Sequence, residues 1–128
     1  MYELIVSLLP ILIQVESGGV SNAVGDNGQA IGVLQIHKIL VDDVNRIEEE
    51  PMFRYQDRKN KTLSCRMAMI YLLHYGKHYE NITGKKATAE VLCRIWNSGP
   101  MGWKKKCSVK YWGKVKKELE KRNNKNEK

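Results

Sequence analysis

The chain has 128 residues, 42% of them hydrophobic, which suits one domain able to bury about two-thirds of its unfolded surface. Its formal net charge of +8 is confined to one end: residues 104–128 hold 11 Lys/Arg and 3 Asp/Glu, whereas residues 1–103 balance to zero. Three cysteines at wide spacing (Cys65, Cys93 and Cys107) argue against a disulfide scaffold and fit reduced thiols.

Leu4, Ile5, Leu8, Leu9, Leu12 and Val15 recur at helical spacing. The segment superficially looks like a leader, but it lacks a basic start, and its apolar run is too short to cross a membrane. It reads as a core helix, with neither an export signal nor a transmembrane segment expected. Pro10 is expected to kink or split it, since proline lacks a donor and clashes with the preceding turn. In "QVESGG" a glycine supplies the stop, which puts Glu16 in the last turn. The negative end of the helix dipole there disfavours a carboxylate and helps raise its pKa.

"AVGDNGQAIGVLQI" carries a "DNG" turn signal between small and β-branched residues, predicting a short β-hairpin over residues 23–36. Ile36, Leu40, Val44 and Ile47 predict a helix ending near "EEEP", followed by a polar connection over 48–61. Thr62 is the expected cap of a helix carrying Leu63, Met67, Ile70 and Leu73, and Thr88 of one carrying Val91, Leu92 and Ile95. After the loop "NSGPMG", Ser108 is the expected cap of a last helix with Trp112, Val115 and Leu119. The fold class is α+β: a mainly helical domain over residues 1–120 with one small β-hairpin after the first helix. A disordered basic tail is expected at 121–128.

His74 and His78 stand four apart, but "HYGKH" contains a glycine and lacks the glutamate of a helical zinc motif. No metal and no organic cofactor is expected.

"QVESGG", "GVLQI" and "RIWNSGP" stand in the order and rough spacing of three motifs of the soluble lytic transglycosylase and goose-type lysozyme families. The resemblance covers about residues 3–119 and implies a lysozyme-like fold. It implies that Glu16 is the general acid and that Ser17 helps hold its carboxyl. Gly32 and Gln35 match the glycine and glutamine of the strand that lines the sugar cleft. Asn97 and Gly99 match the aromatic-Asn-x-Gly motif, in which Trp96 replaces the usual tyrosine. An indole donates but does not accept, so Glu16 is expected to be tuned differently here.

The substrate implied is peptidoglycan, cut at the β-1,4 bond between N-acetylmuramic acid and N-acetylglucosamine. Glu16 would protonate the glycosidic oxygen while the substrate's N-acetyl group assists, then act as base. Activation of the sugar's 6-hydroxyl gives a 1,6-anhydro end, as in a lytic transglycosylase; activation of water gives a reducing end, as in a goose-type lysozyme. Asp26 could position that water or simply form the turn. The second aspartate of the family is His37 here, which weakens the hydrolase reading. Tyr75, from the stripe Tyr71–Tyr75–Tyr79, and Tyr111 are further candidates for the cleft wall.

A nucleic-acid-binding domain built on the basic segment is the rival of another class, and a catalytically silent glycan binder is a second. Neither explains the three motifs together with Glu16. The basic segment is expected to dock on the anionic cell envelope rather than on specific nucleic acid. The chain is expected to be a monomer acting on the wall from the periplasm or the outer face. A phage endolysin released from the cytosol, or a virion or secretion-apparatus component, fits that use.

Overall fold

The computed structural model describes residues 1–126 and consists of five α-helices with one small antiparallel hairpin after the first. Helix α1 spans Tyr2–Ser17 and buries Ile5, Leu8 and Leu12 on one face. Pro10 lies inside it, and the helix is neither split nor ended there. Pro10 and Val6 are both exposed, so the carbonyl that loses its amide partner sits on the solvent side. Gly18 ends the helix in the left-handed conformation, its N–H donating to the Gln14 carbonyl.

Strands β1 (Val24–Gly25) and β2 (Ala30–Ile31) pair antiparallel, with Val24 opposite Ile31. A further bridge joins Ile31 to Ile36 and folds the chain back under the hairpin. Ile36 is therefore a buried bridge residue, and α2 starts only at Lys38, running to Glu48. The connection that follows is less polar in place than in sequence. Phe53 is buried, and Arg58 is 8% exposed, donating to the carbonyls of Tyr55, Gln29 and Ile36.

Helix α3 (Lys61–Thr83) is capped by Asn60, whose side chain accepts from the Leu63 N–H, in place of Thr62. Helix α4 (Ala89–Ser98) is capped by Thr88 as expected. Ser108 does not cap α5 (Val109–Asn126). It is buried, accepts from the Arg94 guanidinium and donates to the Gly102 carbonyl, tying the loop after α4 to the start of α5.

Helix α5 also runs past Leu119 through Asn126, so residues 121–126 are helical where disorder was expected. Arg122 pairs with Glu118 one turn back, and its guanidinium lies against the Pro10 carbonyl of α1. Residues 127 and 128 lie outside the described residues. Leu12, Met67, Leu72, Leu92, Ile95 and Val115 meet in one core shared by α1, α3, α4 and α5. Among the described residues no helix is long and apolar enough to cross a membrane.

Candidate active site

A cleft of about 820 Å³ opens between the end of α1, the hairpin, α2 and the end of α4. That size fits a ligand site. Glu16 stands in it at the C-terminal end of α1, half-buried. Burial raises its pKa above the ordinary carboxyl value, and the Asp26 charge adds to the rise. Hydrogen bonding from Tyr111, the Trp96 indole and the Lys114 charge act the other way.

Only the Tyr111 contact has the full geometry of a hydrogen bond: its hydroxyl donates to Glu16 Oε2 at 2.7 Å. Burial and the carboxyl push the Tyr111 pKa well up, so this phenol remains a donor. The hydroxyl that Trp96 cannot offer is thus supplied by Tyr111 of α5.

Ser17 does not touch the Glu16 carboxyl through any hydrogen bond of the structure. Its hydroxyl donates to the Val33 carbonyl at 2.8 Å and accepts from the Gly19 N–H. It fastens the end of α1 to the segment after β2, and so holds Glu16 through the backbone.

Gly32 does not line the cleft. Its φ is +87°, and a Cβ there would lie 1.9 Å from the Arg58 carbonyl oxygen. The residue is glycine because two backbones meet there, a packing reason rather than a sugar-binding one. Gln35 does line the cleft, in the left-handed region at φ +52°, with its amide near the carbonyls of Gly32 and Ala23.

Asp26 lies in the cleft and meets His37, Nε2 to Oδ2, at 2.9 Å. Asn97 and Gly99 line the cleft next to Trp96, and Asn97 Oδ1 accepts from the Ser98 hydroxyl. Of the tyrosine stripe, Tyr71 and not Tyr75 faces the cleft. Tyr75 stands behind it, donating to Asp43 and accepting from Arg46, two residues of α2 that do line the wall. Tyr71 is locked edge-on between Tyr75 and Trp96.

The structure therefore gathers Glu16, Asp26, Gln35, Trp96, Asn97 and Tyr111 in one region and leaves Ser17, Gly32 and Tyr75 as supports. Sequence reasoning named the tyrosine stripe but singled out Tyr75 rather than Tyr71, and it missed the α2 wall of Asp42, Asp43 and Arg46. That polar face reads in sequence like any solvated helix side, and only the tyrosine spacing pointed near it. Among the described residues no group of three or more potential ligands is placed to hold a metal ion.

A half-buried glutamate with a raised pKa, at the end of a cleft-lining helix and held by a phenol, is suited to deliver a proton to a leaving oxygen. The family model for the transglycosylase SLT domain matches residues 1–124. The chain belongs to the SLT transglycosylase family. Its chemistry is accordingly glycosidic bond cleavage in peptidoglycan, and the cell wall is where such domains act. Among curated proteins no significant match is found. The SLT match spans every residue that lines the cleft, from Glu16 to Pro100, and also Tyr111, which bonds Glu16.

Proposed function

We propose that this SLT domain is a lytic transglycosylase cutting the β-1,4 bond between N-acetylmuramic acid and N-acetylglucosamine, with Glu16 as acid and then base. Glu16 gives its proton to the glycosidic oxygen, the bond to the muramic-acid anomeric carbon breaks, and the substrate's N-acetyl oxygen stabilises the cationic centre. The carboxylate left behind takes the proton of the 6-hydroxyl as that oxygen closes on the same carbon, and a 1,6-anhydro end results. The observation that carries this reading is Glu16 itself, half-buried with a raised pKa and bonded by Tyr111. A donor fixed on the carboxyl supports both roles, because it steadies the ionised form that must exist between the two proton transfers.

Asp26 bears on the hydrolytic alternative. Its carboxylate is engaged by His37, which argues against its holding a water for attack. The substrate strand lies along the cleft against Tyr71, Trp96 and the polar face of α2. The basic face of α5 contributes contact with the anionic envelope, and the domain works as a monomer on the wall, a use that suits a phage-encoded lytic protein.

Mass spectrometry of soluble fragments released from purified peptidoglycan tests the reading, with Glu16→Gln in parallel. The expected outcome is a 1,6-anhydro product from the native chain and a loss of about two to four orders of magnitude in the variant. A product one water heavier would make the chain a lysozyme. An active Glu16→Gln would remove Glu16 from the chemistry.

A further inference from the structure

The cleft and the pocket beside it differ in charge. Glu16, Asp26, Asp42 and Asp43 line the cleft, and Arg46 is the one permanent cation among its lining residues. A side pocket of about 380 Å³ adjoins it, with His37 and Ile39 as shared wall. Gly28, Gln29, Lys38 and Arg58 complete that pocket, so two permanent cations and no carboxylate line it. Asp26 is engaged by His37, and Asp42 accepts from the Tyr55 hydroxyl.

Arg58 is the buried member of the pocket, 8% exposed, in the short turn Tyr55–Lys59. Its Nε donates to the Tyr55 carbonyl at 2.8 Å, and Nη1 donates to the carbonyls of Gln29 at 3.2 Å and Ile36 at 3.1 Å. These bonds staple the hairpin to the connection after α2, but every partner is neutral. Among the described residues Arg58 has no ion pair, and its Nη2 donates no hydrogen bond. Nη2 is not sealed in either, because Nε1 of Trp103 is the one buried side-chain nitrogen or oxygen among them that lacks a partner. A guanidinium taken out of water with no carboxylate beside it is short of an anion.

Lys38 brings a second cation to the same place. Its ammonium lies 5.1 Å from the centroid of the Tyr55 ring, and the central carbon of the Arg58 guanidinium lies 5.8 Å from it. The ring offsets part of the repulsion between two like charges. Packing does not require the gathering, since Lys38 is exposed.

We propose that the side pocket is a carboxylate subsite for the stem peptide carried by muramic acid. The stem leaves the cleft past Ile39, and one of its carboxylates lies on Nη2 of Arg58 and on the Lys38 ammonium. This rests on the glycan strand lying in the cleft. The sugars are neutral, so the strand carries its negative charge on the stems. The aspartates of the cleft wall repel that charge, and the side pocket attracts it. A planar guanidinium matches a carboxylate, and the ammonium adds a point charge. Ile39, 77% exposed on the rim common to both cavities, offers an apolar surface to the lactyl and alanine methyls. A wall phosphate would meet the same donors, and the experiment separates the two sources.

The deciding measurement is a ratio: kcat/KM for uncross-linked glycan strands with their stem peptides, over kcat/KM for the same strands stripped by an amidase. It compares two substrates on one protein, so it does not depend on how much of a variant folds or on which group is the acid. The ratio should be about ten for the native chain, the factor expected of a charge-assisted contact. Lys38→Gln should lower it about two- to fivefold. Lys38→Glu, Arg58→Gln and strands with amidated stem carboxylates should each bring it to about one. A native ratio near one, a ratio unmoved in Lys38→Glu, or amidated stems cleaved as well as free ones would overturn the proposal. A second readout needs no turnover: the amide NMR signals of the full chain, titrated with a free stem peptide and with inorganic phosphate. The peptide should move the signals of Gly28, Gln29 and Ile39, and move them less in Lys38→Glu. No movement would overturn the subsite, and phosphate moving them as far would give the pocket to wall phosphates instead. If Glu16→Gln keeps its turnover, it is the acid assignment that fails, while the ratio and the titration still decide the subsite.

Discussion

Tyr111 donates a 2.7 Å hydrogen bond to Glu16 from a position 95 residues further along the chain. The contact joins the end of the first helix to the first turn of the last, so the geometry around the proposed acid depends on the closing of the whole domain. Tyr111→Phe removes this donor and keeps the ring. Hydrogen bonds to charged groups contribute about 1.5–3 kcal/mol, so kcat should fall about ten- to a hundredfold. The bond favours ionised Glu16, so its loss should also raise the Glu16 midpoint and move the alkaline limb of activity upward. A pH–rate profile reads both effects. A lower turnover with the limb moved down would contradict this role for the phenol.

The raised pKa of Glu16 implies a stability penalty with a definite pH window. In the folded chain this carboxyl holds its proton to a higher pH than in the unfolded chain, whose reference value is 4.5. The stability it contributes is therefore fully present below that value and is lost as pH rises through the native midpoint. Gln at this site carries no charge and its amide oxygen can still accept from Tyr111. Glu16→Gln should thus be more stable than the native chain at pH 7, with the gap closing toward pH 4. Thermal unfolding at the two pH values measures it, and equal stability at pH 7 would show that the folded site does not penalise the carboxylate.

Much of this arrangement was legible in the sequence, for identifiable reasons. The periodicity of Leu4 to Val15 and the two glycines fixed where α1 ends, and so where Glu16 stands. "DNG" placed the hairpin, because few residues other than Asn, Asp and Gly accept its left-handed backbone. What failed were contacts between distant segments. Ser17 was expected to help hold the carboxyl and is bonded to the Val33 carbonyl, so it acts through the backbone alone; Gly32 was expected on the strand lining the cleft and meets the Arg58 backbone. Pro10 does not split α1, and residues 121–126 are helical, because local propensity was overruled. A solvent-facing carbonyl tolerates the proline, and the Arg122–Glu118 pair together with contact to α1 extends the last helix.

The close approach at Gly32 makes a sharp stability prediction. A Cβ there would meet the Arg58 carbonyl at 1.9 Å and sit at φ +87°, so the hairpin or the segment around Arg58 must move. Gly84 has a similar φ of +70° with nothing within 4 Å. Gly84→Ala should cost only the left-handed penalty, about 1–2 kcal/mol. Gly32→Ala should cost more than about 3 kcal/mol, because steric overlap with backbone is added. Urea unfolding of the two variants compares them directly, and equal costs would show that the backbone at Arg58 yields freely.

Lys110, Lys114, Lys117, Lys121 and Lys125 recur every three or four residues along α5 and are all exposed, which puts them on one side of the helix. Lys114 is close enough to act on the Glu16 charge, while Lys121 and Lys125 border a groove between α5 and Gln14 of α1. The row therefore runs from the cleft to the far end of the helix, and a polyanion lying along it would be led toward the acid. Changing Lys117, Lys121 and Lys125 together to Gln spares Lys114 and the core positions Tyr111 and Val115. Binding to intact wall should weaken at low salt and the difference should vanish as salt screens exposed charges, over a Debye length of about 8 Å at physiological ionic strength. Cleavage of short soluble glycan fragments should be unchanged, since they do not reach beyond the cleft. Co-sedimentation with purified wall at two salt concentrations reads the first effect, and fragment turnover reads the second. Wall binding that is the same for the triple variant and the native chain at low salt would leave the row as a solvated helix face, with the envelope contacted through the cleft alone.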